Sequence, residues 1–263
     1  MRMRRGGLTA LGFAFAAFAF GTHTVCAQSP TARTPGLPNG FVYLRDVDPS
    51  IIQDMRYAGV NNFTGRKLAG YEAAECIVTR RVADALSRVQ QDLKPRGLSL
   101  KMFDCYRPQR ASRGMLAWAT GAETAAQKRF YPKLDRRDLF RLGYIAASSG
   151  HSTGAAVDLT LVEKASGKSA EFDPGASYAD CTQPAAKRAP EASVDMGSGY
   201  DCFDIASHTA ARSITPEQRS WRQTLLAAMR RQGFVNYFRE WWQFSIPGAG
   251  GVAADFPIVA RPQ

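Results

Sequence analysis

The stretch that decides the reading is Ser148-Ser149-Gly150-His151-Ser152-Thr153-Gly154-Ala155-Ala156-Val157-Asp158-Leu159-Thr160. An imidazole and a carboxylate stand seven residues apart across a run of small residues that feeds an apolar strand. Nitrogen and oxygen donors of this kind are ligand types for zinc. In one ideal strand an odd separation would put them on opposite faces. The pair can converge only if His151 sits in the Ser-Thr-Gly turn and Asp158 in the strand. Taken alone, the segment reads more readily as a hydrogen-bonded turn histidine beside a strand aspartate.

Outward from that stretch, the sequence alternates strand and helix signals. Strand is expected at Ala155 to Leu161, and from Ile51 to Tyr57. Leu98, Leu100 and Met102 alternate with polar residues, as in a half-buried strand leading into Asp104-Cys105-Tyr106-Arg107-Pro108. Pro108 biases Arg107 to an extended backbone, aiming its side chain from a strand end. Val82, Leu86, Val89 and Leu93 lie on one face of a helix from about Thr79, the expected N-cap, to Leu93, which Pro95 and Gly97 end. Further helices are expected over Gln109 to Trp118 and Asp138 to Leu142. The last helix begins with Thr215, Pro216 and Gln218, an N-cap, a first-turn proline and a capping-box partner, and stops at Gly233. Phe234 to Tyr237 reads as a short strand. Asn61 to Gly65 and residues 163–209 read as loops, the second long enough to imply a functional insertion.

The first 27 residues read as a secretory signal peptide: Arg2, Arg4 and Arg5, an uncharged apolar run from Leu8 to Phe20, then Val25-Cys26-Ala27. A flexible lead-in over 28–40 and a single domain over 41–263 follow. Cleavage near Ala27 would place the protein in the periplasm or outside the cell, with no stable membrane insertion. The formal charge of +11 falls to +8 without the three leader arginines, and the basic residues are scattered. That pattern argues against nucleic acid and is compatible with an anionic target such as cell wall. Cys76, Cys105, Cys181 and Cys202 remain, with no close CxxC pair for a zinc site. Four cysteines allow three connectivities; we favour Cys76–Cys105 and Cys181–Cys202, the second closing the Gly- and Pro-rich insertion.

His-Ser-x-Gly-x-Ala-x-Asp at 151–158, Asp-x-Tyr-Arg-Pro at 104–108 and Glu240-Trp241-Trp242 stand in order. Together they resemble the D-alanyl-D-alanine dipeptidases, zinc peptidases related to the D,D-carboxypeptidases. The similarity runs from Asp54-Met55-Arg56-Tyr57 through Phe63-Thr64-Gly65 to Trp242. It implies an α+β fold, a small, mainly antiparallel sheet with packed helices, with the cleft where the strands from 155 and 241 meet. It also implies one zinc ion per chain, held by His151 and Asp158, with Glu240 as catalytic base and Arg107 stabilising the oxyanion. Asp201 would bind the substrate's amino group, Asp195 being the weaker alternative, and Tyr144 and Ser149 would line the dipeptide pocket. The implied partner is D-Ala-D-Ala or another peptidoglycan-derived peptide.

The family pattern carries a third ligand, histidine, where this sequence has Gln243. A glutamine carbonyl is a poorer, neutral zinc ligand than imidazole. Gln243 is then a weak oxygen ligand in a low-affinity site, the mark of a non-catalytic peptidoglycan-fragment binder, or an engineered change. His208, the other histidine after the leader, lies in the insertion. Glu240 and Gln243, three apart, would face opposite ways on a straight strand, so a shared site needs a turn or bulge at Glu240.

Overall fold

In a computed structural model the described residues are 36–262, apart from 123, 147 and 165–170. The expected leader and most of the lead-in lie outside them. The strands are β1 (Phe41–Tyr43), β2 (Ile52–Gln53), β3 (Ile77–Thr79), β4 (Leu98–Asp104), β5 (Ala156–Glu163), β6 (Val235–Asn236) and β7 (Gln243–Ser245). The helices are α1 (Leu44–Val47), α2 (Arg80–Leu93), α3 (Gln109–Ala119), α4 (Ala125–Lys128), α5 (Asp138–Arg141) and α6 (Pro216–Arg231). Five strands form one sheet in the order β2-β4-β5-β7-β6, antiparallel except for the β2–β4 pair, and β1 and β3 form a separate antiparallel pair. This is the α+β fold with a mainly antiparallel sheet.

The apolar face of α2 packs with Leu225, Ala228 and Met229 of α6 in the core that also buries Leu100, Met102, Val157, Leu159 and Leu161. A second core is aromatic: Tyr57, Phe63, Tyr71, Trp118, Tyr131, Tyr144 and Phe203 among others. The α6 start is as read. Thr215 Oγ1 accepts from Gln218 N, Gln218 Oε1 accepts from Thr215 N, and Gly233 follows the helix with φ +85°. Such a φ is open to glycine at little cost.

Four local expectations are corrected. β4 is buried along its whole length and runs on to Asp104, because the face carrying its polar residues is covered as well: Ser99 Oγ accepts from Gln90 Nε2 (2.9 Å) and Lys101 Nζ donates to Glu191 O (2.6 Å). The strand expected over Ile51 to Tyr57 pairs only at Ile52–Gln53 and then turns into a 3-10 helix, Arg56–Ala58. Thr79 occupies the N-cap of α2 but its side chain caps nothing. Trp241 and Trp242 stand in a turn before β7, not on a strand, yet they are still core, each about 1 % exposed.

The irregular stretch after β5 is held by side chains rather than by a ladder. Cys181–Cys202 and Cys76–Cys105 are the two disulfides, the pairs favoured from the sequence. Buried Arg222 of α6 donates to three backbone carbonyls of the stretch, Met196 (2.7 Å), Ala206 (2.8 Å) and His208 (2.7 Å). Asp195 accepts from Gly197 N (2.9 Å) and from Arg188 and Gln218 (2.8 Å each).

Candidate active site

His151 stands in a 3-10 turn, Gly150–Thr153, and Asp158 in β5. Ser149 Oγ accepts from His151 N at the turn's start. Gly154 closes the turn at φ +71°, where an added Cβ would collide with the Phe41 ring. Only glycine fits both demands. The turn thus removes the odd-spacing conflict and brings His151 Nε2 to 3.3 Å from Asp158 Oδ1.

The other ring nitrogen fixes the tautomer. His151 Nδ1 lies 2.8 Å from the Cys105 carbonyl, which can only accept, so Nδ1 carries the proton. Asp104 Oδ2 lies 3.3 Å from the same nitrogen. In the neutral ring Nε2 is then left as an acceptor, facing a carboxylate oxygen; burial lowers the ring's proton affinity, but the Asp158 charge outweighs it and holds the imidazole above its ordinary value. Among the described residues neither Nε2 nor Asp158 Oδ1 has a hydrogen-bond partner, and both are buried. Two buried electron-pair donors facing each other repel unless a proton or a metal cation lies between or beside them. The donor set fits a divalent ion with nitrogen and oxygen ligands. Asp104 is near enough to be grouped with His151 and Asp158. It faces the Nδ1 side, however, and is already engaged by Tyr71 (2.6 Å) and by Arg107 (Nε 2.9 Å, Nη2 2.7 Å). Its place is to orient the ring and the guanidinium.

Sheet register supplies the third position. A shift between Met102 and Asp104 sets Asp104 opposite Asp158, and Asp158 is opposite Gln243. Asp104, Asp158 and Gln243 thus form one row across β4, β5 and β7, and directly opposed side chains in a sheet share a face. Glu240 precedes β7 in a turn, with Glu240 N donating to Tyr237 O (3.0 Å) and Gln243 N to Glu240 O (3.2 Å). That turn lets Glu240 and Gln243 line the same cavity.

The cavity holds about 250 Å³ and is lined by Arg107, Tyr144, Ser149, Asp158, Asp201, Glu240 and Gln243 among others. Of the site residues expected from the sequence, all are on its wall except His151, which is 1 % exposed and 3.3 Å from Asp158, and the weaker candidate Asp195. Arg107 is both ion-paired to Asp104 and open to the cavity, its guanidinium 4.9 Å from the Tyr57 ring centre. Asp201 takes a left-handed backbone, φ +58°, and its Oδ2 accepts from Tyr57 OH at 2.9 Å. Asp195 belongs to the Arg188–Gln218 cluster and does not line the cavity. His208 pairs with Tyr144 OH (3.3 Å) and is not grouped with His151 and Asp158.

Electrostatics separate the carboxylates. Burial, then the neighbouring Asp158 and Asp201 charges, push Glu240 well above the usual carboxylate range against the pull of Arg107. Burial and Asp158 do the same to Asp201. Asp104, Asp158 and Asp201 each accept from a tyrosine hydroxyl, Tyr71, Tyr200 (2.9 Å) and Tyr57 respectively. Among the described residues no hydrogen bond reaches the Glu240 carboxylate, leaving it the site acid with both oxygens free. The three tyrosines are what sequence reasoning missed. Their partners are 33, 42 and 144 residues away, so no local spacing could reveal them. Asp104 had a signal, its place in the Asp-x-Tyr-Arg-Pro motif, but its contact with the His151 ring needed the fold.

Comparison with known proteins gives the same direction throughout. The family described as D-ala-D-ala dipeptidase matches residues 38–191 and 173–262. A D-alanyl-D-alanine dipeptidase of Streptomyces coelicolor is 34 % identical over 221 residues, covering 83 % of this chain and 98 % of that protein. One from Enterococcus faecium is 32 % identical over 206 residues, 78 % of this chain and 90 % of that protein. One from Escherichia coli is 26 % identical over 220 residues, 84 % of this chain and 89 % of that protein.

Proposed function

The chain belongs to the D-ala-D-ala dipeptidase family, and from that premise we propose that it hydrolyses D-alanyl-D-alanine with one zinc ion per chain. The observation that carries the reading is the facing pair of orphaned donors, His151 Nε2 and Asp158 Oδ1, beside a cavity that also holds Glu240 and Arg107. His151 and Asp158 would hold the ion, with Gln243 offering its carbonyl oxygen as a weak third ligand. When bound, zinc supplies a Lewis acid that lowers the proton affinity of water.

The protein's own residues supply the rest. Glu240, raised by burial and free of hydrogen bonds, takes the proton from the attacking water and passes it to the leaving amine. Arg107, held by Asp104, donates to the oxygen on which negative charge develops. Asp201 pairs with the substrate's free ammonium group, and Tyr144 and Ser149 bound the dipeptide. A cavity of about 250 Å³ suits a small substrate. The two disulfides accord with an exported protein, periplasmic or secreted after loss of residues 1–27.

Gln243 attenuates the site. Losing even an outer partner of a metal ligand typically costs about 10–100-fold in affinity or activity. The direct test is alanine release from D-Ala-D-Ala by purified protein with added zinc, beside a Gln243→His variant. Release by both, with tighter zinc binding in the variant, supports the proposal. No release by the parent under conditions where Gln243→His is active would make this chain a peptidoglycan-fragment binder rather than an enzyme. Cleavage of a muropeptide pentapeptide but not of the dipeptide would make it a D,D-carboxypeptidase.

A further inference from the structure

Tyr200 is buried, 1 % exposed, and its hydroxyl donates to Asp158 Oδ2 at 2.9 Å. The ring has no freedom to leave that position. It stacks on Phe103 with centroids 4.5 Å apart and planes at 26°, and it meets Trp242 edge-on at 5.5 Å. Phe103 is itself covered by the Arg56 guanidinium, 4.7 Å from its centre. The backbone is pinned too, Tyr200 N donating to Glu191 Oε1 at 2.7 Å, two residues before the Cys181–Cys202 bond.

The same Asp158 oxygen has a second suitor. Arg107 Nη2 lies 3.8 Å from Oδ2, close enough to attract it and too far for a hydrogen bond. Arg107 offers a planar fork that pairs well with a carboxylate through two oxygens. If Asp158 turned towards it, Oδ1 would leave His151 Nε2 and Arg107 would turn from the cavity. The Tyr200 hydroxyl is the group that opposes this.

We infer that Tyr200 is a positioning residue: its hydroxyl occupies Asp158 Oδ2, withholds that carboxylate from Arg107, and leaves Oδ1 alone to face His151 Nε2. The consequence is larger here than in a site with a second imidazole. The Gln243 carbonyl is a weaker donor than an imidazole, so more of the site's strength rests on Asp158 and on how it is oriented. The inference rests on the metal reading given above.

Tyr200→Phe removes the hydroxyl and keeps the ring with its stacking. Full-length parent and variant are titrated with zinc against a chromophoric chelator, and their cobalt(II) forms compared by visible absorption. The expected result is about 10–100-fold weaker zinc binding in Tyr200→Phe, the usual effect of losing a ligand's hydrogen-bonding partner, with shifted cobalt bands. The metal-free melting temperatures should lie within a few degrees of each other, showing that the fold is kept. Equal zinc affinity and superimposable cobalt spectra would overturn the role of Tyr200 while leaving the metal reading intact. A parent that binds neither zinc nor cobalt would overturn both.

Discussion

Two stretches bring carboxylates to the same cavity by opposite means. β5 delivers Asp158 through a ladder, with neighbours hydrogen-bonded on both sides and a register that fixes which side chain faces which. The irregular stretch 171–213 delivers Asp201 with almost no ladder. Its position depends on one disulfide, one buried arginine bonded to three carbonyls, and the Asp195 cluster. The first arrangement spreads the constraint over many equivalent bonds; the second concentrates it in a few side chains. The teaching is that a rigid acceptor geometry can be built without secondary structure, but each support is then individually important. Even the backbone at Asp201 shows it, since a non-glycine residue at φ +58° persists only where its surroundings hold it.

Substitutions can break this comparison on either side. The largest effect is expected from His151→Ala, which removes the buried imbalance around Nε2 together with the proposed ligand. Zinc affinity should fall by at least about 100-fold, more than for loss of an outer partner, as read by metal analysis after dialysis. A His151→Ala protein that retains stoichiometric zinc would refute the strand-borne site. Next comes the double variant Cys181→Ser, Cys202→Ser. It should lower stability by about 2–4 kcal/mol, measured by denaturant unfolding, and loosen Asp201 while the turn and β5 keep the proposed metal pair. Loss of both zinc and stability together would mean that the two regions are not independent.

Asp201→Asn is a milder cut on the loop side. Losing a charged hydrogen-bonding partner costs about 1.5–3 kcal/mol. Hydrolysis of D-Ala-D-Ala should therefore lose roughly 10–100-fold in kcat/KM, with zinc content unchanged. The smallest effect is expected at Asp195. Burial alone would raise its carboxyl, but hydrogen bonds from Gly197 N and Gln218, and the Arg188 charge, hold it below the ordinary range. A carboxylate depressed in the folded state adds stability above its unfolded pKa of about 3.9, and that stability is lost as pH falls through the lower, folded value. Asp195→Asn should thus melt below the parent at neutral pH, and the gap should narrow below about pH 4. A gap that does not change with pH would assign the cluster's contribution to neutral hydrogen bonds.

The contrast also explains what could be read from the sequence. The α6 capping box, the face of α2 and the turn-then-strand arrangement of His151 and Asp158 are local, set by residues a few positions apart. Glu240 and Gln243 were legible as a conflict, and the turn at Glu240 is its resolution. The row Asp104–Asp158–Gln243 was not legible, because it depends on a register shift in β4 that no spacing encodes. Nor were the tyrosines that bond the three aspartates, whose contacts arise only when distant segments meet, Tyr57 and Tyr71 in the aromatic core and Tyr200 in the other. The buried second face of β4 was missed for a related reason. Its polar residues, Ser99 and Lys101, mimic solvent exposure in sequence but find partners in Gln90 and Glu191 O.

The Cys105 carbonyl that receives His151 Nδ1 belongs to a cysteine bonded to Cys76, and both are fully buried. Oxidation state and ring alignment are thereby linked: the Cys76–Cys105 bridge helps to hold the carbonyl that fixes the imidazole tautomer, together with the backbone bonds from Tyr106 N to Ile77 O (2.8 Å) and from Arg107 N to His151 O (3.3 Å). Protein produced in a reducing cytosol would carry the full set of proposed ligands with one of the constraints on their alignment missing. A metal titration on such material would report its thiol content as much as its affinity, so free-thiol counting belongs before any comparison of Gln243 with histidine.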